Sequence, residues 1–347
     1  MARLATMRDV AKAAGVSTMT VSRAFRSDTS ISKEARKKIL READRLGYVF
    51  DSTASNFRRQ KTGFVGVLIP SLNNASFADT VGGLTDELSK SGTQVLLAYT
   101  NYDVDQEELL ISQLLQRRPD AMVLTGGQHT EKSRNVLLKT GIPVIETWDL
   151  PSEPIGHTVG FSNEAAMHRL VDHMVAKGYR RIAYVGGDPK TGPGSADPLR
   201  RRGFVNAMQQ NDLDPSRLIG WGRSPLSMRD GADALAHLLE KLPDTEAVIC
   251  VSDLSAFGAL TECNRLGVKV PDDIALAGFG AHEIAGVSVP TLTTIDPRPR
   301  QIGFETARVI EALRLGHEGI LRIEVTPELI AGGSSGHPQG SGVLPGR

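Results

Sequence analysis

The sequence predicts a small all-α unit at the N-terminus, followed by a two-lobed α/β core built on parallel sheets. Three observations carry this expectation. Between Met7 and Leu46 the apolar residues fall at helical spacing in three short groups. From residue 64 onward, β-branched runs alternate with amphipathic stretches, and the cycle occurs twice. Charge divides along the same line: residues 1–61 hold 14 Lys and Arg against 6 Asp and Glu, a net +8, whereas the remainder holds 26 against 34, a net −8. A basic unit joined to an acidic one points to an anionic polymer as partner for the first unit only.

In the N-terminal unit the groups are Met7, Val10, Ala11 and Ala14; Val21 and Phe25; and Ala35, Ile39, Ala43 and Leu46. Gly15 can take the left-handed conformation that ends a helix, and Ser17 or Thr18 follows as an N-cap, so the first two helices are joined by a tight turn. Ser32 can cap the third helix. Glu34 lies in its first turn and Arg41 and Arg45 near its end, as the helix dipole favours, and Gly47 stops it. The pattern is that of a helix-turn-helix.

The runs MRDVAKAAGVSTMTVSRAF and ISKEARKKILREADRLGY resemble the DNA-binding headpiece of the lactose-repressor (LacI/GalR) family over almost its full length. By that resemblance Thr18, Met19 and Arg23 enter the major groove. Arg23 suits the O6 and N7 acceptors of guanine, Met19 a thymine methyl, and Thr18 a base edge or phosphate. Ser17, Thr20 and Ser22 would position the helix on the backbone. The resemblance makes residues 51–63 a hinge helix that wedges an apolar side chain into the minor groove. Register from Tyr48 puts Phe57 there, with Arg58, Arg59 and Lys61 near phosphates. Phe50 stands where the family often has proline, and the arginine usual before the wedge is replaced.

In the core, the expected alternation runs through FVGVLIP, Phe77 to Lys90, TQVLLAYT, Gln106 to Gln116, AMVLTGG, a helix to Thr140 and PVIETW. It resumes with RIAYVGG, a helix after Asp197, RLIGWG, Met228 to Lys241, AVICVSD, Leu254 to Leu266 and IALAGFG. Ligands of such open sheets bind beyond the carboxyl ends of the strands. Reading those ends selects Ser71, Asn73, Tyr102, His129, Asp149, Phe161, Arg200, Ser252 and His282 as the ligand set. These hydroxyls, amides, charges and aromatics suit a polyhydroxy molecule.

The core pattern resembles the periplasmic-type sugar-binding domain that the family carries as its regulatory part. In RRRGF, the arginine that would grip the effector aligns as Arg200. Where the family usually has GFDD, this chain has GFGA at 278–281, so an acidic ligand residue is missing. An aspartate there would repel a carboxylate. MRDVA, MTVSR, VGFSN and AGFGAHEIAG look most like the gluconate-repressor branch. A sugar acid such as gluconate is therefore the expected effector, with Arg200 as bidentate partner and His129 or His282 as donors.

The resulting expectation is a homodimeric repressor of carbohydrate or sugar-acid genes, allosterically controlled, with operator DNA and a small effector as partners. Its domains would be a headpiece at 1–50, a hinge at 51–63, a core at 64–331 and a disordered tail at 332–347. Within the core, lobe 1 takes 64–160 and 292–325, and lobe 2 takes 161–291. A two-lobed solute-binding protein without a DNA role is the alternative, but that reading needs a signal peptide, which MARLATMRDV does not resemble, and has no use for a basic headpiece. An enzyme is not expected, because no dinucleotide fingerprint, phosphate loop or nucleophile-base spacing stands in the right context. No cofactor, metal or membrane association is expected, and the cytoplasm is the expected compartment. Cys250 and Cys263 sit in apolar surroundings and read as small buried hydrophobes.

Overall fold

The computed structural model describes residues 5–25, 31–50, 62–189 and 197–336. Phe57, Arg58, Arg59 and Lys61, and with them most of the expected hinge, lie outside the described residues, as do 337–347. Two compact units divide the chain at Thr62/Gly63.

The first unit contains α1 (Met7–Ala14), α2 (Thr18–Ala24) and α3 (Lys33–Leu46). Thr6 and Asp9 form a reciprocal capping box at the start of α1, and Gly15, at φ 70°, ends it. Ser17 Oγ accepts the Thr20 N–H to open α2, and Ser32 Oγ accepts the Ala35 N–H to open α3. Such caps satisfy amides that have no partner inside the helix. Val10, Ala14, Val21, Ala24, Ile39 and Ala43 bury completely or nearly so and form one small core. Arg36 Nε donates to the Ala24 carbonyl, 2.8 Å away, and ties α3 to the end of α2. Phe50 stacks on Phe25, with ring centroids 4.9 Å apart, so the residue that replaces the usual proline closes the edge of this core.

The second unit opens with β1 (Phe64–Ile69), α4 (Ala75–Ser89), β2 (Gln94–Tyr99), α5 (Val104–Leu115), β3 (Ala121–Thr125), α6 (Glu131–Thr140), β4 (Val144–Thr147) and β5 (His157–Gly160). It continues with α7 (Asn163–Ala176), β6 (Ile182–Gly186), α8 (Asp197–Gln210), β7 (Leu218–Gly220), α9 (Met228–Lys241), β8 (Ala247–Cys250), α10 (Asp253–Leu266) and β9 (Ala275–Ala277). The last elements are α11 (Glu283–Val287), β10 (Thr294–Asp296), α12 (Pro299–Arg314), β11 (Arg322–Glu324) and β12 (Glu328–Ile330).

Two parallel sheets result, in the orders β11-β5-β4-β3-β1-β2 and β7-β6-β8-β9. β10 and β12 pair antiparallel beside them. In β1, Val65, Val67 and Ile69 face one apolar layer with Leu84 and Leu88 of α4, while Leu68 faces a second with Ile111, Leu114 and Leu137 from α5 and α6. Helices thus cover both faces, which is why β1 reads as an unbroken apolar run. Gly83 and Gly303 allow α4 and α12 to pack at very close range, since a Cβ at Gly303 would lie 1.9 Å from the Thr80 carbonyl oxygen.

The sequence reading stepped over β5, α7, α12 and the short pairings of β10, β11 and β12. Residues 332–336, the start of the stretch expected as a tail, are among those described. Ser334 and Ser335 are buried, Ser334 Oγ donates to the Leu276 carbonyl at 2.6 Å and accepts from the Thr293 N–H at 2.9 Å, and Ser335 Oγ lies 2.9 Å from His173 Nε2. A low-apolar, turn-forming stretch is held here by the hydrogen bonds of its hydroxyls.

Candidate nucleic-acid interface and ligand cavity

On α2 the buried residues Val21 and Ala24 turn one side to the headpiece core. Thr18, Met19 and Arg23 stand exposed on the other, and 61% of Met19 is open to solvent. Ser17, also exposed, has its hydroxyl 2.9 Å from Thr20 Oγ1 in addition to its capping bond, while Thr20 and Ser22 are half-buried.

In the second unit a cavity of about 160 Å³ opens at the carboxyl ends of the strands of both sheets. Five of the nine expected ligand residues line it: Tyr102, Asp149, Arg200, Ser252 and His282. The structure does not bring Ser71, Asn73, His129 or Phe161 to the lining. Ser71 Oγ accepts the Asn73 N–H in a surface turn. Phe161 is fully buried in the core beneath the cavity. His129 is enclosed in the protein between Glu107 and Glu146.

Arg200 is the most constrained of the five. Its guanidinium lies over the Phe279 ring, 3.6 Å from the centroid. Nε donates to Asn163 Oδ1 at 3.1 Å and Nη1 to the Val251 carbonyl at 2.8 Å. Asn163 in turn donates from Nδ2 to the Trp148 carbonyl, so two loops hold the arginine through one amide. Burial pulls the Arg200 pKa down, partly offset by Tyr184 and Asp197. A planar cation fixed in this way is suited to a carboxylate.

Below it runs an aromatic row. Phe77 meets Trp148 edge-on at 5.1 Å, Trp148 meets Phe161 at 6.0 Å, and Phe161 stacks with Phe279 at 6.1 Å. Trp148 Nε1 donates to Thr80 Oγ1, which satisfies its polar handle.

His282 links elements of both lobes. Its Nε2 lies 3.0 Å from Ser76 Oγ and 3.2 Å from Asn74 Oδ1, while its backbone N–H donates to Asp253 Oδ2. Asp253 is completely buried and also accepts from Thr294 Oγ1 at 2.6 Å. Burial depresses the His282 pKa against the pull of Asp253, and raises that of Asp253 against its hydrogen bonds. The ring packs over Gly280, where a Cβ would lie 2.9 Å from the imidazole and the backbone has φ 132°. A side chain at 280 would therefore crowd the His282 ring and strain the backbone. Ser252 lines the cavity, but its hydroxyl is tied into a capping box with Ser255. Burial raises the pKa of Asp149, and burial raises that of Tyr102 against a hydrogen bond to Asn74.

Sequence reasoning missed Asn74, Ser76 and Glu107, all of which line the cavity. Asn74 and Glu107 carried a signal of another kind: one is an N-cap and the other a first-turn acid, and both roles explain the residue without a ligand.

A two-lobed α/β ligand-binding core behind a helix-turn-helix unit defines the class as ligand-responsive DNA-binding regulators. Residues 6–50 match the family model described as bacterial regulatory proteins, lacI family, and residues 171–335 match a periplasmic binding protein-like domain. The chain is 32% identical over 338 residues to the HTH-type transcriptional regulator GntR of Escherichia coli K12, covering 96% of this chain and 98% of that protein. It is 35% identical to a regulator of the same name from Pseudomonas aeruginosa, over 90% of each chain. A LacI family transcriptional regulator of solved structure from Silicibacter pomeroyi is 40% identical, with a TM-score of 0.74, and covers 79% of this chain and 98% of its own. The chain belongs to the LacI family of bacterial transcriptional regulators. Among the described residues, no group of His, Cys, Asp and Glu is arranged to hold a metal, and no helix is long and apolar enough to cross a membrane.

Proposed function

We propose that this chain is a homodimeric cytoplasmic repressor that binds pseudo-palindromic operator DNA and is controlled by a sugar acid such as gluconate. It is a regulator without enzymatic activity. The DNA reading rests on α2, whose outward side chains Thr18, Met19 and Arg23 suit base edges while Val21 and Ala24 fix the helix to its core. The effector reading rests on Arg200, clamped by Phe279, Asn163 and Val251 at the wall of a cavity rich in hydrogen-bonding groups. The name GntR, carried by two relatives, agrees with a sugar-acid effector. Exposed Leu96, Leu97 and Tyr99 on the edge strand β2 support pairing of two copies.

Effector and operator each favour a different arrangement of the core, so each weakens the other by the same factor, of the order of 5- to 150-fold for ordinary coupling energies. The test is fluorescence anisotropy of the purified chain on a pseudo-palindromic sequence from its own upstream region, at fixed salt, with gluconate and neutral sugars titrated in. Reversal by sugar acids alone is the expected result. Absence of operator binding at any salt overturns the DNA reading, and reversal by neutral sugars alone overturns the carboxylate reading.

A further inference from the structure

Behind the first-lobe wall of the cavity lies a buried trio of charged side chains. His129, in the loop after β3, has its Nδ1 2.7 Å from Glu107 Oε1 on α5 and its Nε2 3.5 Å from Glu146 Oε1 on β4. The side chains of His129 and Glu146 are wholly buried, and Glu146 Oε2 accepts the Ile155 N–H at 2.6 Å. Glu107 is 9% exposed and lines the cavity. Among the described residues its Oε1 faces the imidazole, while Oε2 accepts no hydrogen bond. Burial alone would lower the His129 pKa, but the hydrogen bond to Glu107 and the nearness of both glutamates outweigh it and lift it to about 9. The protonated imidazole thus stands between the two glutamates, one of which reaches the cavity.

Burying three charges is expensive, and apolar side chains could join α5 to β4 at lower cost. The arrangement does something an apolar joint cannot, since it presents a fixed anionic acceptor to the cavity from the lobe opposite the one that supplies Arg200. Resting on the sugar-acid reading above, we infer that Glu107 is a specificity-determining residue that accepts hydrogen bonds from the hydroxyl end of the ligand, and that His129 is the positioning residue that holds it. The cavity then has polarity. Arg200 takes a carboxylate at one end, and Glu107 takes hydroxyls at the other and repels a second carboxylate. A polyol with one acid group fits, and the corresponding diacid does not.

The test is calorimetric titration of the full-length wild type, E107Q, H129Q and the double variant with gluconate, glucarate and glucitol, with circular dichroism confirming the fold. Gluconate and glucarate differ only in whether the sixth carbon is a hydroxymethyl or a carboxylate. The wild type is expected to prefer gluconate about 10-fold or more, as loss of a charged hydrogen-bond partner commonly costs. E107Q brings the ratio of the two affinities close to one. H129Q does the same, and the double variant goes no further, because the imidazole acts through Glu107. A wild-type ratio retained in E107Q overturns the assignment, and it does so even if H129Q fails to fold. If the wild type binds glucitol but neither acid, the sugar-acid reading falls on its own; Glu107 is then upheld by an approximately 10-fold glucitol loss in E107Q and overturned by an unchanged affinity. Binding of none of the three overturns both.

Discussion

Arg200 and Phe279 form a stacked pair, the guanidinium carbon 3.6 Å above the ring centroid, and this contact fixes the plane of the guanidinium. Lysine keeps the charge but has neither the flat face nor the forked donors. R200K is therefore expected to lose about 10-fold or more in gluconate affinity by calorimetry while losing little affinity for neutral polyols. Equal losses for both ligands would remove Arg200 from carboxylate recognition.

Arg23 stands exposed on the same side of α2 as Met19. R23A is expected to weaken operator binding by roughly 1–3 kcal/mol and to relax the base preference at one position of each half-site. Competition between the operator and its single-base variants measures both effects. Unchanged selectivity would assign Arg23 to the phosphates.

Gly280 lies under the imidazole of His282 with φ 132°. Restoring an acid there, in G280D, is expected to lower stability by about 1–3 kcal/mol through backbone strain and overpacking, visible as a lower Tm. It should also reduce sugar-acid binding, since the new carboxylate enters a site that suits an anion. An unchanged Tm would mean that the loop moves freely, which the hydrogen bond from the Gly280 N–H to the Ile295 carbonyl opposes.

The trio around His129 predicts a pH dependence. Its pKa is about 9 in the folded chain against an ordinary 6.5, so the folded state holds the proton more tightly. Such a group contributes fully below pH 6.5, and its contribution declines as pH rises and is gone above about 9. The expected size is on the order of 3 kcal/mol. In denaturant titrations, the gap in stability between wild type and H129Q should narrow steadily from pH 6.5 to 9. A gap independent of pH would show that His129 is not protonated in the fold.

Cys250 and Cys263 are both buried and free. Burial raises both thiol pKa values, that of Cys263 to about 12 and that of Cys250 further, so little thiolate is present at neutral pH. Iodoacetamide at pH 8 is expected to label neither in the native protein and both in urea, which mass spectrometry of the two samples would read. Fast labelling of the native chain would expose a mobile core.

The elements that were legible in the sequence carry their own local signal. Gly15 and Gly47 stop helices, Ser17 and Ser32 start them, and the apolar run from Val65 to Ile69 needs helices on both of its faces. β5 and β11 gave no such signal. Each is short, and β11 takes its place only through its partner β5, 164 residues away in the chain, as with Arg322 and Thr158. The cavity was half legible for the same reason. A strand end names residues near the cavity, as it did for Tyr102, Asp149 and Ser252, but not the direction of a side chain. His129 is held between Glu146 and Glu107, of which Glu107 itself reaches the cavity, and Glu107 comes from a helix that the strand-end rule never examines.

The aromatic row beneath the cavity has a practical consequence. Of the two tryptophans in the chain, Trp148 lies within that row at the cavity wall, and Trp221 packs against His237 elsewhere. Trp148 couples to the ring under Arg200 through a single intervening phenylalanine, Phe161. The protein thereby carries an intrinsic fluorophore at the wall of the proposed effector cavity. In a W221F background, emission from the remaining indole would report occupancy directly, without a label and without DNA.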